Sequence, residues 1–309
     1  MTDFYLITGF LGAGKTTFLK NFIRLFPGKR VHLIINEFGR VGVDGHLLRE
    51  LGAAMDEISN GSIFCSCRLD KFEEVLDSIV QQNPPDALIV EASGLSDPTA
   101  VRKILGTEKY GWISYKGSVC LVDAANYHKV IGTARVCGKQ LSVSELLLIN
   151  KADLVTSEQV KAAEADIRGR CPRADVRVTT FGRIEPEWLA ALEKSDHSGT
   201  SEDEIESRDI TLQKCAITIN EAMSAEQLEH FIRMFIEDTY RVKGFVTLQG
   251  ALWLVDCTGA MLSVSRWKGE TPAEAHTIVA LSGKGMSPRK SVRKAAEWYP
   301  GLIEGIEMG

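Results

Sequence analysis

The sequence predicts an α/β fold, a mostly parallel sheet covered by helices on both faces, followed by a smaller α+β domain. Three observations predict it. From the N-terminus to about residue 195, apolar runs of strand length alternate with stretches of helical spacing, the rhythm of parallel strands joined by crossover helices. A glycine-rich segment, Gly9 to Thr17, lies between the first such run and the first such helix. Past an acidic, serine-rich stretch, Asp196 to Asp209, strands follow one another with little helix between them, which is the pattern of an antiparallel sheet. The expected division is residues 1–195, a linker 196–209, and residues 210–309.

Composition narrows the function classes. The 309 residues are 44% hydrophobic and 25% charged, the balance of a soluble globular protein. A net charge of −5 gives no electrostatic ground for nucleic-acid binding. No run of about 18 apolar residues is present, so no membrane span is expected. The first strand begins without a basic segment and cleavage site, so no signal peptide is expected. Seven scattered cysteines, an odd number, suit a reducing cytoplasm and free thiols or metal ligands better than a disulfide framework.

Taken in order, Phe4-Tyr-Leu-Ile-Thr8 reads as a buried strand, and Thr17 to Phe26 as a helix stopped by Pro27-Gly28. Between them Gly9-Phe-Leu-Gly-Ala-Gly-Lys-Thr-Thr17 has the form G-x-x-x-x-G-K-[ST], the phosphate loop of a P-loop NTPase. The glycines let the backbone of Gly12, Ala13 and Gly14 wrap a polyphosphate with inward N–H groups. The following helix adds its positive end. Lys15 would reach the β- and γ-phosphates, the Thr16 hydroxyl would bind Mg²⁺, and Thr17 would donate to the α-phosphate.

A second strand, Arg30 to Asn36, runs into Glu37-Phe-Gly-Arg-Val-Gly-Val-Asp44. Ligands of open α/β sheets sit at that carboxyl edge, and Glu37 or Asp44 could approach Mg²⁺ directly or through water. Cys65 and Cys67 then form a C-x-C pair at a turn. Two thiolates supply half of a tetrahedral zinc site. They could equally be small loop residues, and the spacing leaves both readings open. Leu69 to Gln82 has helical spacing closed by Asn83-Pro-Pro85. Asp86 to Gly94 is a third strand ending in Glu91-Ala-Ser-Gly94. An acid at that tip holds Mg²⁺ through water, and the Gly94 amide senses the γ-phosphate. Ser118 to Ala124 is a fourth strand with Asp123 at its tip, read as structural. Glu145 to Asn150 is a fifth, running into Asn150-Lys-Ala-Asp153. This N-K-x-D segment reads guanine. The Asp153 carboxylate accepts from the ring N1–H and the exocyclic amine, Lys151 lies over the base, and Asn150 braces the loop.

Thr156-Ser-Glu-Gln159 opens another helix as a capping box. Asp175 to Thr180 is a sixth strand, and Glu187 to Lys194 a short helix. Beyond the linker come a strand Lys214 to Ile219, an amphipathic helix Ser224 to Arg241, strands over Phe245–Asp256, Met261–Trp267 and His276–Ser282, and a last basic helix from Ser287-Pro288.

As an ordered set, these segments resemble the CobW-like P-loop GTPases, relatives of the HypB and UreG metallochaperone GTPases. The resemblance rests on Gly9 to Thr17, Ile35-Asn-Glu-Phe-Gly39 with Asp44, Asn60-Gly61, Glu91-Ala-Ser-Gly-Leu95 with Pro98, Val122-Asp-Ala124, Asn150 to Asp153, and Arg241-Val-Lys-Gly244 in the C-terminal part. It implies a GTP-hydrolysing protein that uses Mg²⁺, is slow without a partner, and serves metal or metallocofactor delivery to a client metalloprotein or cofactor enzyme. It also implies pairing of two copies across the nucleotide. By position, Lys15 and Thr16 serve phosphate and Mg²⁺; Glu37, Asp44 and Glu91 serve the metal and the switch; Asn150, Lys151 and Asp153 serve the base. The family's Asn-Gly-Cys-x-Cys-Cys segment is altered here to Asn60-Gly-Ser-Ile-Phe-Cys65, with Cys67 added beyond it. A three-thiolate site of the family type cannot form. A rearranged Zn²⁺, Co²⁺ or Ni²⁺ site would need Cys65, Cys67 and a further ligand such as Glu37 or His46. The alternative is a regulatory GTPase that acts on a protein partner and carries no metal.

Overall fold

The computed structural model describes residues 1–37, 53–59, 69–82, 84–94, 96, 98–189, 192, 213–269, 275–283 and 286–308. Asp44, His46, Cys65, Cys67 and the acidic linker therefore lie outside the described residues. The chain divides into two compact units, Met1–Ile131 with Arg135–Asp209, and Gly132–Ala134 with Ile210–Gly309.

The first unit is built on β1 (Thr2–Gly9), β2 (Val31–Glu37), β3 (Ala54–Ser59), β4 (Ala87–Glu91), β5 (Ile113–Asp123), β6 (Leu146–Asn150) and β7 (Asp175–Val178). They form one sheet in the order β3-β2-β4-β1-β5-β6-β7, and every pairing is parallel. Strands β1, β4 and β6 are apolar runs rather than alternating ones because both faces are buried. On one face Tyr5, Ile7, Leu33, Ile89 and Leu148 pack under α1 (Lys15–Ile23), through Phe18, Leu19 and Phe22. On the other, Phe4, Leu6, Ile34, Leu88 and Val90 pack under α2 (Leu69–Gln82) and α3 (Thr99–Leu105), through Phe72, Leu76, Val101 and Ile104. Further along that face Cys120, Val122, Leu147 and Ile149 meet α4 (Tyr127–Ile131), α5 (Arg135–Ser142) and α6 (Ser157–Arg170). The capping box at Thr156 and Gln159 is formed in both directions.

The second unit is a six-stranded antiparallel sheet. Its strands are β8 (Gln213–Ile219), β9 (Arg241–Leu248), β10 (Ala251–Thr258), β11 (Met261–Arg266), β12 (His276–Ser282) and β13 (Ile303–Met308), in the order β11-β10-β9-β12-β8-β13. Helices α7 (Ala225–Arg233) and α8 (Pro288–Ala296) share its core, with Leu228, Phe231, Ile232 and Val292 buried.

Two expectations need correction. The helix begun at Ser224 stops at Arg233, and only a short 3-10 turn, Ile236–Asp238, follows before β9. The stretch Phe245–Asp256 is not one strand but a hairpin, because Gln249 and Gly250 both take positive φ, 50° and 76°, the geometry of a two-residue turn. The short helix expected over Glu187–Lys194 is entered through a 3-10 turn, Pro186–Trp188, and is α-helical at Leu189 and Leu192, the other residues of its span after Leu189 lying outside the described residues.

Candidate functional site

Parallel register brings the predicted residues to one edge. Ile7 of β1 lies beside Glu91 of β4, which in turn pairs with Ile35 of β2. Gly9 lies beside Leu121, Asp123 beside Asn150, and Ile149 beside Val178. Gly9, Glu37, Glu91, Asp123 and Asn150 are thus the carboxyl tips of five strands, the edge at which α/β sheets bind ligands.

The loop after β1 turns into α1 at Gly14, the N-cap, with φ 97° and ψ 26°. Gly12 is also left-handed, at φ 72°. These conformations strain any residue with a Cβ. The Lys15 side chain is buried, and its ammonium donates to the carbonyls of Gly9 at 2.8 Å and Phe10 at 3.2 Å. Thr16 is half-buried and Thr17 exposed, in the first turn of α1, where backbone N–H groups have no helical acceptor and favour anions.

Glu91 is 5% exposed at the tip of the strand beside the loop. The turn that follows it is clamped from two sides. The buried Asn36 accepts through Oδ1 from the Ser93 amide at 3.4 Å and the Ser96 hydroxyl at 3.2 Å. Gln140 of α5 donates through Nε2 to the carbonyls of Gly94 and Ser96, both at 3.2 Å. Neither Asn36 nor Gln140 was expected from the sequence, since each acts across more than forty residues. Glu37 closes β2.

Asn150 is 2% exposed. Its Nδ2 donates to the Ala13 carbonyl at 2.9 Å, and its Oδ1 accepts from the Gly182 amide at 2.9 Å. It therefore ties the phosphate-loop segment to the turn after β7. Lys151 takes φ 61°, and its ammonium meets Asp123 Oδ2 at 2.8 Å. Asp123, 6% exposed, also accepts from the Ala125 amide and Asn126 Nδ2, both at 3.0 Å. The structural role expected of Asp123 thus has a definite form: it holds the lysine of the N-K-x-D segment. Asp153 stands exposed on a 3-10 turn, Ala152–Leu154.

Thr16, in the first turn of α1, and Glu91, at the tip of β4, carry hard oxygen donors, the kind that fits Mg²⁺ with waters completing its shell. The described residues hold no group of three or more histidines, cysteines and carboxylates able to bind a softer metal. Three of their cysteines, Cys120, Cys171 and Cys215, are also poor ligands. Burial pushes the Cys120 thiol up to about 12 and raises those of Cys171 and Cys215, and only the thiolate binds metal well.

The family described as CobW/HypB/UreG, nucleotide-binding domain, matches residues 3–177. The cobalamin synthesis protein cobW C-terminal domain matches residues 212–295. The zinc chaperone CobW of Sinorhizobium sp is 32% identical over 202 residues, covering 54% of this chain and 56% of that protein. The zinc chaperone YeiR of Escherichia coli is 32% identical over 167 residues, covering 53% of this chain and 51% of that protein. The chain spans about half the length of the curated relatives it matches. The Zn(II)-bound YjiA GTPase of E. coli aligns over 98% of this chain and 99% of its own, at 20% identity and a TM-score of 0.47.

Proposed function

The chain belongs to the CobW/HypB/UreG family, with a CobW-type C-terminal domain, and from that premise we propose that it is a Mg²⁺-dependent GTPase that serves metal delivery. The observation that carries the nucleotide half is Asn150. One side chain bonds both the phosphate-loop segment at Ala13 and the turn at Gly182, which supports reading the N-K-x-D segment and the phosphate loop as parts of one site. In this reading the amides of Gly12, Ala13 and Gly14 with Lys15 hold the β- and γ-phosphates, and Thr17 serves the α-phosphate. Thr16, Glu91 and, from the residues beyond β2, Asp44 serve Mg²⁺. Glu37 and Glu91 act in the hydrolytic switch, and Gly94 reports the γ-phosphate. Asp153 reads the base, with the Lys151 stem beside it. A Mg²⁺ held by these residues would supply positive charge against that developing on the phosphates, and the loop amides and Lys15 supply a preorganised field for the same charge.

Asp153→Asn tests the base. An amide cannot accept two guanine N–H bonds, and each charge-assisted bond lost costs about 1.5–3 kcal/mol. GTP affinity should fall by roughly a hundredfold or more, and the variant should gain affinity for xanthosine triphosphate, whose 2-carbonyl accepts from the new amide. Calorimetry with both nucleotides decides it, and unchanged GTP preference would remove guanine from the reading.

The metal half rests on what the relatives are called and on Cys65 and Cys67. Elemental analysis of the protein with and without GTP should find one Zn²⁺, Co²⁺ or Ni²⁺ per chain, absent from a Cys65→Ser, Cys67→Ser variant. Ser62 and Phe64, at the positions where the family carries thiols, favour the second reading, a GTPase that regulates a metallocofactor enzyme without carrying metal. Client capture that depends on nucleotide and survives both substitutions would establish it. A second copy paired across the nucleotide is read by sedimentation with GTP against GDP.

A further inference from the structure

The turn after β7 holds an aromatic side chain that no core uses. Phe181 is 64% exposed and has φ 54°, a left-handed backbone that is costly for a bulky residue and is found where surrounding structure over-determines it. Here the surroundings are definite. Asn21 of α1 donates both of its amide hydrogens to this turn, to the Phe181 carbonyl at 3.0 Å and the Gly182 carbonyl at 2.9 Å. Asn150 accepts from the Gly182 amide at 2.9 Å. Thr179 Oγ1 donates to the Arg183 carbonyl at 2.9 Å, and the Arg183 amide to the Thr180 carbonyl at 3.2 Å. Gly182 lies so close to α1 that an added Cβ would stand 2.7 Å from the Phe18 amide nitrogen.

Those bonds fix where the ring is carried. On one side the turn rests against the first turn of α1, three residues past Lys15. On the other it adjoins the N-K-x-D segment, whose Ala152 amide donates to the Thr179 carbonyl at 3.4 Å. A nucleotide with its phosphates on the loop at Gly12–Thr17 and its base at Asp153 must run past this turn. The backbone has been forced into an unfavourable conformation to hold an apolar ring in water, and the ring stacks on no other among the described residues. A flat, partly apolar ligand face explains that arrangement.

We propose that Phe181 is a wall of the base pocket, its ring lying against the purine, and that Asn21 is the positioning residue that sets it there. The proposal rests on the nucleotide reading given above. It adds a contact that is indifferent to which purine is bound, because every base presents a π-face, whereas Asp153 distinguishes guanine from the rest.

The test compares GDP with inorganic tripolyphosphate, which has no base, in competition binding to the full chain. Phe181→Ala should weaken GDP about tenfold, the scale of an aromatic platform lost from under a base, and leave tripolyphosphate unchanged. Phe181→Trp should restore GDP binding, and its fluorescence, taken as a difference from the parent, should be quenched by GDP. Asn21→Ala should reproduce part of the GDP loss. The exposed ring makes no core contact, so the melting temperature of Phe181→Ala should match the parent. GDP affinity unchanged in Phe181→Ala, or an equal loss for tripolyphosphate, would overturn the proposal. Altered self-association with unchanged GDP affinity would overturn it too and assign the ring to a contact between copies. Failure of Asp153→Asn to shift guanine preference would count against the guanine reading alone, since the comparison of GDP with tripolyphosphate reads Phe181 for any purine.

Discussion

Replacing Gly94 by alanine should cost both stability and turnover. A Cβ there would stand 2.7 Å from the amide nitrogen of Leu11, 2.9 Å from its Cα and 2.8 Å from its Cδ2. Two of those atoms belong to the backbone of the phosphate-loop segment, so no rotamer change relieves the clash. The turn carrying Gly94 cannot retreat freely, because Asn36 holds Ser93 and Ser96, and Gln140 holds the Gly94 carbonyl itself. Forcing an extra methyl into such packing costs about 1–3 kcal/mol. The part of that cost that is not relieved appears in denaturant unfolding, and the loop shift that relieves the rest misaligns the site. Displacements of about 1 Å in a catalytic constellation can cost roughly a hundredfold in rate. The expected result is a lowered unfolding midpoint with single-turnover GTP hydrolysis reduced about a hundredfold. Parental values in both measurements would show that the turn and the loop are not coupled as their contact indicates.

What was legible in the sequence was whatever is encoded locally. The phosphate loop is read from consecutive residues because the conformations of Gly12 and Gly14 require glycine. The capping box at Thr156 is likewise a four-residue fact. Doubly buried strands such as Leu146–Asn150 announce themselves as unbroken apolar runs. The misses have a common physical origin. Strands β3 and β13 are edge strands. They bury less and carry charges, Asp56 in one and Glu304 and Glu307 in the other, so their patterns are weak. Helices α3 to α5 have five to eight residues, too short for a helical period to show. The hairpin at Gln249-Gly250 lacked an Asn-Gly or Asp-Gly signature. In the site, the side chains missed are those whose partners are far away in the chain. Asn21 bonds residues 160 and 161 positions on, and Gln140 bonds residues 44 and 46 positions back. An isolated Asn or Gln in a sequence does not reveal which backbone it will hold. An exposed Phe181 leaves no pattern either, since apolar residues scattered on a surface are ordinary.

Lys15→Ala should abolish high-affinity nucleotide binding while leaving the fold standing. The two halves of that expectation follow from different features of one side chain. The ammonium is buried and bonded to the carbonyls of Gly9 and Phe10. Removing it takes away those bonds, but it also takes away a buried charge, whose desolvation offsets much of what the bonds contribute. The net effect on unfolding should be within about 1 kcal/mol, because β1, α1 and their aromatic contacts are unchanged. Binding is another matter. A polyphosphate brings several negative charges into the same small space, and the positive charge that would meet them is gone. Charge-assisted bonds of this kind contribute about 1.5–3 kcal/mol each, so losing the one to the β-phosphate weakens GDP by roughly tenfold to a hundredfold, and losing those to both the β- and γ-phosphates weakens GTP by roughly a hundredfold to ten-thousandfold. Arginine should not rescue the loss. Its planar fork is wider than an ammonium, and the space beside the Gly9 and Phe10 carbonyls is filled by a single nitrogen within 3.2 Å of both. Calorimetric titration of Lys15→Ala and Lys15→Arg with GDP, beside their thermal melts, separates the two effects. Retained affinity in the alanine variant would mean that the phosphates are held elsewhere than on this loop.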